Sequence, residues 1–101
     1  MPDQSIQNDS FFNEARAADP ETMIVFAEMY YRGDGVEKSY EKAAALYRLA
    51  ANQDIPQAQY ELGMLYDQGL GVEKNAIEAF SWIEKAANHD FPAARLYINE
   101  H

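Results

Sequence analysis

Cysteine is absent from this chain, which excludes disulfides, thiolate-bound zinc and thiol nucleophiles together, and nothing marks the chain as built for an oxidising compartment. Basic side chains are scarce. Eight Lys and Arg stand against seventeen Asp and Glu, a net charge of −9, with the acids spread along the whole length. Such a field repels phosphate, so no nucleic-acid partner is expected, whereas a basic protein partner is allowed. Long apolar runs are missing too: stretches such as Met23 to Ala27 and Ala43 to Tyr47 fall far below the roughly 18 residues that cross a bilayer, so no membrane partner is expected. The opening MPDQSIQND holds Asp3 and Asp9 without Lys or Arg, unlike a secretory signal with its basic start and apolar run. The expected location is cytoplasmic.

Chemistry-bearing residues are equally thin. The two histidines, His89 and His101, have no partner at ligand spacing, and metal sites usually need three or four convergent ligands; no metal and no cofactor is expected. Ser5, Ser10, Ser39 and Ser81 lie neither in a strand-turn-helix elbow nor beside a histidine. Acids at Asp34, Glu37, Glu41, Asp67, Glu73 and Glu78 miss the alternating spacing of a calcium loop. Arg32-Gly33-Asp34 spells an adhesion tripeptide, but the repeat described next explains both its glycine and its turn. No catalytic residue is expected, and the chain reads as a non-enzyme.

What is present is an internal repeat. Shifting the sequence by 36 residues lays Tyr30 to Ala58 on Tyr66 to Ala94 without a gap, with 13 identities in 29 positions. These include Tyr30/Tyr66, Gly33/Gly69, Gly35/Gly71, Val36/Val72, Ala43/Ala79, Ala50/Ala86 and Pro56/Pro92. A fixed period of this length is the mark of stacked supersecondary units.

Each unit reads as two helices joined by a tight turn. Pro56 suits a first helical position, where its missing N–H would have no partner anyway. Ala58, Leu62, Leu65 and Tyr66 then recur at three- and four-residue steps. Gly69 and Gly71 can take the positive φ that ends the helix and reverses the chain, letting Val72 drop back onto the core. Ser39 and Asn75 stand at N-cap positions, followed by buried faces carrying Ala43, Leu46, Tyr47 and Ala50, or Ala79, Trp82, Ile83 and Ala86. Trp82 and the tyrosines at 30, 47 and 66 fall on the core stripe, so packing accounts for them. The spacing predicts six helices, about 10–18, 20–32, 39–52, 56–68, 75–88 and 92–100, in one domain over 10–101 behind a flexible tail over 1–9. Full units over about 20–55 and 56–91 are flanked by partial units over 10–19 and 92–101.

The residues Leu62-Gly63, Tyr66, Gly69-x-Gly71-Val72, Ala79, Trp82, Lys85-Ala86-Ala87 and Pro92-x-Ala94 resemble the Sel-one-like repeat family, a relative of the tetratricopeptide repeats. The likeness runs from about Pro20 to Leu96. It implies an all-α fold, a right-handed superhelix of antiparallel helix pairs whose first helices line a concave face that holds proteins or peptides, in adaptors, scaffolds and regulators. Two departures stand out: Ala27 replaces the glycine found at Gly63, and Asn52 and Asn88 stand near the usual helix-ending glycine, where asparagine tolerates the left-handed conformation. Some family members have cysteine-pinned repeats and are associated with penicillin binding or hydrolysis, but without a cysteine or a nucleophile motif nothing carries that over.

The face of each first helix that the core leaves unused supplies a candidate site. With Ala58, Leu62 and Tyr66 inward, the 100° step puts Gln57, Tyr60, Met64, Asp67 and Gln68 on an adjacent stripe. The 36-residue shift adds Ile24, Glu28, Tyr31 and Arg32 before it, and Leu96 and Glu100 after it. Aromatic and flexible apolar groups among acids suit a protein-binding patch; the competing reading is that part of the stripe packs on a neighbouring helix. A second apolar surface is expected at Leu96, Tyr97 and Ile98, where self-association through the C-terminal helix would cover it. The expectation is therefore a small acidic interaction module binding a protein or peptide, as adaptor, regulator or toxin-neutralising immunity protein. The alternatives are a small hydrolase of cell-wall or β-lactam substrates and a purely structural homo-oligomer.

Overall fold

The computed structural model describes residues 4–101. Six helices follow one another with no strand among the described residues: α1 (Gln4–Arg16), α2 (Pro20–Arg32), α3 (Tyr40–Ala51), α4 (Pro56–Gln68), α5 (Ala76–Asn88) and α6 (Pro92–Glu100). Helices α2/α3 and α4/α5 are the two full antiparallel pairs, and the stack measures 52 × 25 × 19 Å. Five helices match the predicted spans to within a residue. The first does not: α1 starts at Gln4 and ends at Arg16, because polar residues before Ser10 can continue a helix that the hydrophobic period alone does not reveal. Part of the tail expected over 1–9 lies outside the described residues, and the rest is in α1.

Local chemistry sets the helix ends. The Ser39 hydroxyl accepts from the Lys42 amide, and the Asn75 side chain from the Ile77 and Glu78 amides, satisfying donors that the first turn leaves without partners. Asp19 does the same for Thr22, and hydrogen bonding from the Thr22 side chain first, then its amide, holds the Asp19 pKa below the usual value of 3.8. Helices α2 and α4 stop at Gly33 and Gly69, both left-handed at φ 75° and 70°. After each turn the chain is pinned by a long backbone bond, from the Ser39 amide to the Tyr30 carbonyl and from the Asn75 amide to the Tyr66 carbonyl. The left-handed residues after α3 and α5 are not the expected asparagines. Asn52 is right-handed at φ −68°, and Asp54 and Asp90 take φ 63° instead, since the reversal falls two residues further on, next to the prolines.

Alanines let the helices close up. Ala43, Ala50, Ala58, Ala79, Ala86 and Ala94 have no exposed surface, and between them Leu46, Leu62 and Ile83 are fully enclosed, each worth about 1.5–3 kcal/mol of burial. Where α4 meets α5, a Cβ at Gly63 would lie 2.5 Å from Ile83 Cγ1 and 2.9 Å from the Ala79 carbonyl. The first pair manages with Ala27, itself fully buried. Tyr30 and Tyr47 are core as predicted; Tyr66 and Trp82 are half-buried, with Arg48 and Lys85 cations over their rings at 5.5 and 4.7 Å. At the N-terminal end, Phe11 and Phe12 of α1 pack edge-on against Phe26 and Tyr30. Gln59 is a buried polar residue that the periodicity does not reveal; its amide donates to the Ala51 carbonyl at the end of α3.

Candidate functional site

The two first helices, α2 and α4, flank a cleft of about 290 Å³. Each contributes one edge of its amphipathic surface. Glu28, Tyr31 and Arg32 come from the last two turns of α2; Tyr60, Glu61, Met64 and Gln68 run down α4; Tyr47 reaches in from α3, and Leu65 completes the wall. Of the eleven residues placed on the stripe by sequence, six meet here: Glu28, Tyr31, Arg32, Tyr60, Met64 and Gln68.

The others are elsewhere. Ile24 is 5% exposed and shares a core cluster with Tyr47, Ala50 and Ala58, so it is corrected from surface to core: the following helix pair covers it, whereas its repeat counterpart Tyr60, with α6 beyond it, stays half-buried against Phe91 at 5.6 Å. Gln57 is exposed on the first turn of α4. Asp67 faces the C-terminal end, accepting a hydrogen bond from the Tyr97 hydroxyl at 3.1 Å. Leu96 and Glu100 are exposed on α6, apart from the cleft. Tyr97 and Ile98, expected to be uncovered, are half-buried on the Ile83 cluster, and the Tyr97 ring stacks on His101 at 4.0 Å.

Two cleft residues that the stripe omitted turn out to carry much of its character. Glu61 belongs to the spacing 57, 61, 64, 68, itself a helical stripe, so periodicity could have found it. Tyr47 gives no such signal, because it reads as core and is core: 3% exposed, yet lining the cleft.

The charges are unevenly partnered. Glu28 and Arg32 pair at 3.8 Å, the Arg32 side chain largely in solvent and that of Glu28 partly buried, a solvent-screened contact worth about 0–1 kcal/mol. Glu61 makes no hydrogen bond or ion pair with any described residue. Burial lifts its carboxyl above the usual 4.5, the nearby Glu28 adds to the rise, and Arg32 opposes it. The Tyr47 hydroxyl has no hydrogen-bond partner among the described residues either. Burial first, then Glu61 and Glu28, push its ionisation well above the ordinary range. Burial, then Glu61, raises Tyr60 in the same direction. The cleft thus combines aromatic walls with one net negative charge.

No group of three or more His, Cys, Asp or Glu side chains among the described residues could hold a metal, and no helix is long and apolar enough to cross a membrane. A shallower groove of about 310 Å³ between α5 and α6 includes Glu84, Arg95 and Ile98, with Arg95 already paired to Asp90.

Comparison with known proteins matches the Sel1 repeat model to residues 24–55 and again to 56–91. Among solved structures, the chain is similar to a Sel1 repeat protein from Oxalobacter formigenes, at 37% identity and TM-score 0.77 over 78% of this chain and 32% of that one. It is also similar to a protective antigen present in uropathogenic Escherichia coli strains that displays an SLR fold, at 32% identity and TM-score 0.72 over 82% of this chain and 18% of that one. A third similar structure is Helicobacter pylori cysteine rich protein B, at 28% identity and TM-score 0.72 over 74% of this chain and 56% of that one. The chain therefore spans less than two thirds of each of these relatives. No curated protein matches it.

Proposed function

This chain belongs to the Sel1 repeat family, and from that premise we propose that it is a non-enzymatic interaction module that seats a partner protein or peptide in the α2–α4 cleft. Sel1 repeat proteins are in general protein-interaction modules. The observation that carries the reading to this chain is the cleft itself: two first helices from successive repeats present Tyr31, Tyr60 and Met64 beside Glu28 and Glu61. Aromatic anchors within a polar, charged rim are what protein interfaces concentrate. The net charge of −9 favours a basic partner. Within this reading the chain serves a bacterial cytoplasmic partner as adaptor, regulator or toxin-neutralising protein, the last suited by its acidity. Residue chemistry weighs against the hydrolase alternative, since Ser39 is engaged as a helix cap and His89 closes α5.

The test is co-purification of the full chain from a bacterial lysate, beside a variant carrying Tyr60→Ala and Met64→Ala. A partner retained by the wild type and lost by the folded variant supports the cleft; equal retention removes it. Self-association is a second reading, motivated by Leu96 at 61% exposure on α6 and by Ile77 and Phe80 exposed on α5. Light scattering decides it: a monomer at high concentration ends that reading.

A further inference from the structure

The charge pattern of the cleft is specific enough to say what chemistry a partner must bring. Glu61 is a half-buried carboxylate that makes no ion pair, and Tyr47 is a core side chain with no hydrogen-bond partner for its hydroxyl among the described residues; both line the same cleft. Half-burying a carboxylate without a paired cation is unfavourable, so Glu61 gains when a ligand supplies a cationic donor, and the Tyr47 hydroxyl is free to accept from the same group. Building on the docking reading above, we infer that the cleft is a receptor for one arginine side chain of the partner, its guanidinium set between the Glu61 and Glu28 carboxylates and the Tyr47 hydroxyl, its stem against Tyr60 and Met64.

Two features select a guanidinium and a third calls for a cation. The acceptors come from three helices, α2, α3 and α4, so they converge from different directions on a group with five N–H donors in a planar fork. Tyrosine faces bind that plane more readily than they bind a compact, strongly hydrated ammonium. The cleft is also one charge short of neutral, since Arg32 offsets only one of the two carboxylates. Arg32 stands at the rim with its side chain 65% exposed, where it is free to swing outward as the incoming cation takes over Glu28. It is the one cleft group that opposes binding. Burial raises the Glu61 carboxyl, with Glu28 adding and Arg32 opposing, and an arriving cation offsets that cost by pairing with the ionised form, so affinity should fall on acidification as that group protonates.

The experiment is an amide NMR titration of the full chain with capped five-residue alanine peptides whose central residue is arginine, lysine or the neutral isostere citrulline. The arginine peptide should shift Tyr31, Tyr47 and Glu61. Citrulline should bind about tenfold or more weakly, the loss of a charge-assisted contact, with lysine in between. Glu61→Gln should weaken the arginine peptide about tenfold without loss of thermal stability. Tyr47→Phe should weaken it less, and Arg32→Ala should strengthen it. Citrulline or lysine binding in the cleft as tightly as arginine overturns the guanidinium assignment and leaves peptide docking there intact. An arginine peptide that shifts no cleft residue, or that binds Glu61→Gln unchanged, overturns the inference, and the co-purification experiment then decides separately whether the cleft docks partners at all.

Discussion

Replacing Gly71 and Gly35 by alanine, one at a time, measures how firmly the second repeat is seated on the first. The two glycines are repeat counterparts and share a left-handed backbone, at φ 73° and 75°, so both substitutions carry the same left-handed penalty of about 1–2 kcal/mol. Their surroundings differ. A Cβ at Gly35 would meet only the Met29 methyl at 3.8 Å, whereas one at Gly71 would fall 2.1 Å from the Tyr40 carbonyl oxygen and 2.8 Å from the Glu41 amide nitrogen. Those are backbone atoms at the start of α3, which cannot rotate aside as a side chain would. Overpacking of this kind adds about 1–3 kcal/mol, placing Gly71→Ala near 2–5 kcal/mol against 1–2 for Gly35→Ala. In a domain of this size each kcal/mol moves the melting temperature by roughly 4–8 °C. Urea denaturation with unchanged slope should therefore order the proteins as wild type, Gly35→Ala, Gly71→Ala. The displacement also reaches the cleft, because the Tyr40 ring packs edge-on against Tyr31 at 5.3 Å and Tyr31 forms part of the α2 wall. Gly71→Ala should thus weaken partner binding more than Gly35→Ala does. Two variants equal within about 0.5 kcal/mol, inside the usual spread of surface substitutions, would refute the claim that the turn sets the repeat spacing.

Further expectations concern pH, backbone and capping. Glu61 has its folded pKa raised above the unfolded value of about 4.5, so the folded state holds the proton more tightly. Its contribution is fully present below the unfolded value and is lost as pH rises through the higher folded one. Glu61→Gln should then exceed wild type in stability at about pH 8 and lose that advantage as pH falls to the ordinary carboxylate value of 4.5, and a gap that widens on acidification would contradict the burial argument. Asp19 has the opposite sign: with its pKa lowered below 3.8, its capping contribution persists above that value and disappears as pH falls through the folded one, which acid titration of Asp19→Ala should show as a convergence with wild type. Asp54 bears a side chain at φ 63°, so Asp54→Gly should stabilise by about 1 kcal/mol and Asp54→Ala should destabilise; melting temperatures give the order directly. Asn75→Ala removes the acceptor for two first-turn amides and should lose about 1 kcal/mol, read from chemical denaturation.

Most of what neighbours along the chain govern was legible in the sequence, the span of α1 and the left-handed Asp54 and Asp90 excepted. The 36-residue period, the prolines that open α2, α4 and α6, the caps at Ser39 and Asn75 and the left-handed glycines after α2 and α4 are local events, decided by dihedral preference and nearby hydrogen-bond donors. The same locality explains why six of the proposed stripe residues reached one cleft: a helix carries its faces at a fixed angular step, so neighbours on a stripe travel together. What the sequence left open depended on how one helix pair lies against the next. Ile24 and Tyr60 occupy the same place in successive repeats, yet one is core and the other half-buried, because the full pair α4/α5 packs on α2/α3 and the single helix α6 on α4/α5. Asp67 belongs to the stripe by angle but turns to Tyr97, a residue thirty positions away. Tyr47 looks like any core aromatic until α2 and α4 are placed on either side of it, and Glu61 has no special character until burial and Glu28 act on it. A half-buried carboxylate without an ion pair and a hydroxyl without a hydrogen-bond partner are properties of packing, set by the angle between helices that are distant in the chain, and the chemistry of the cleft rests on them.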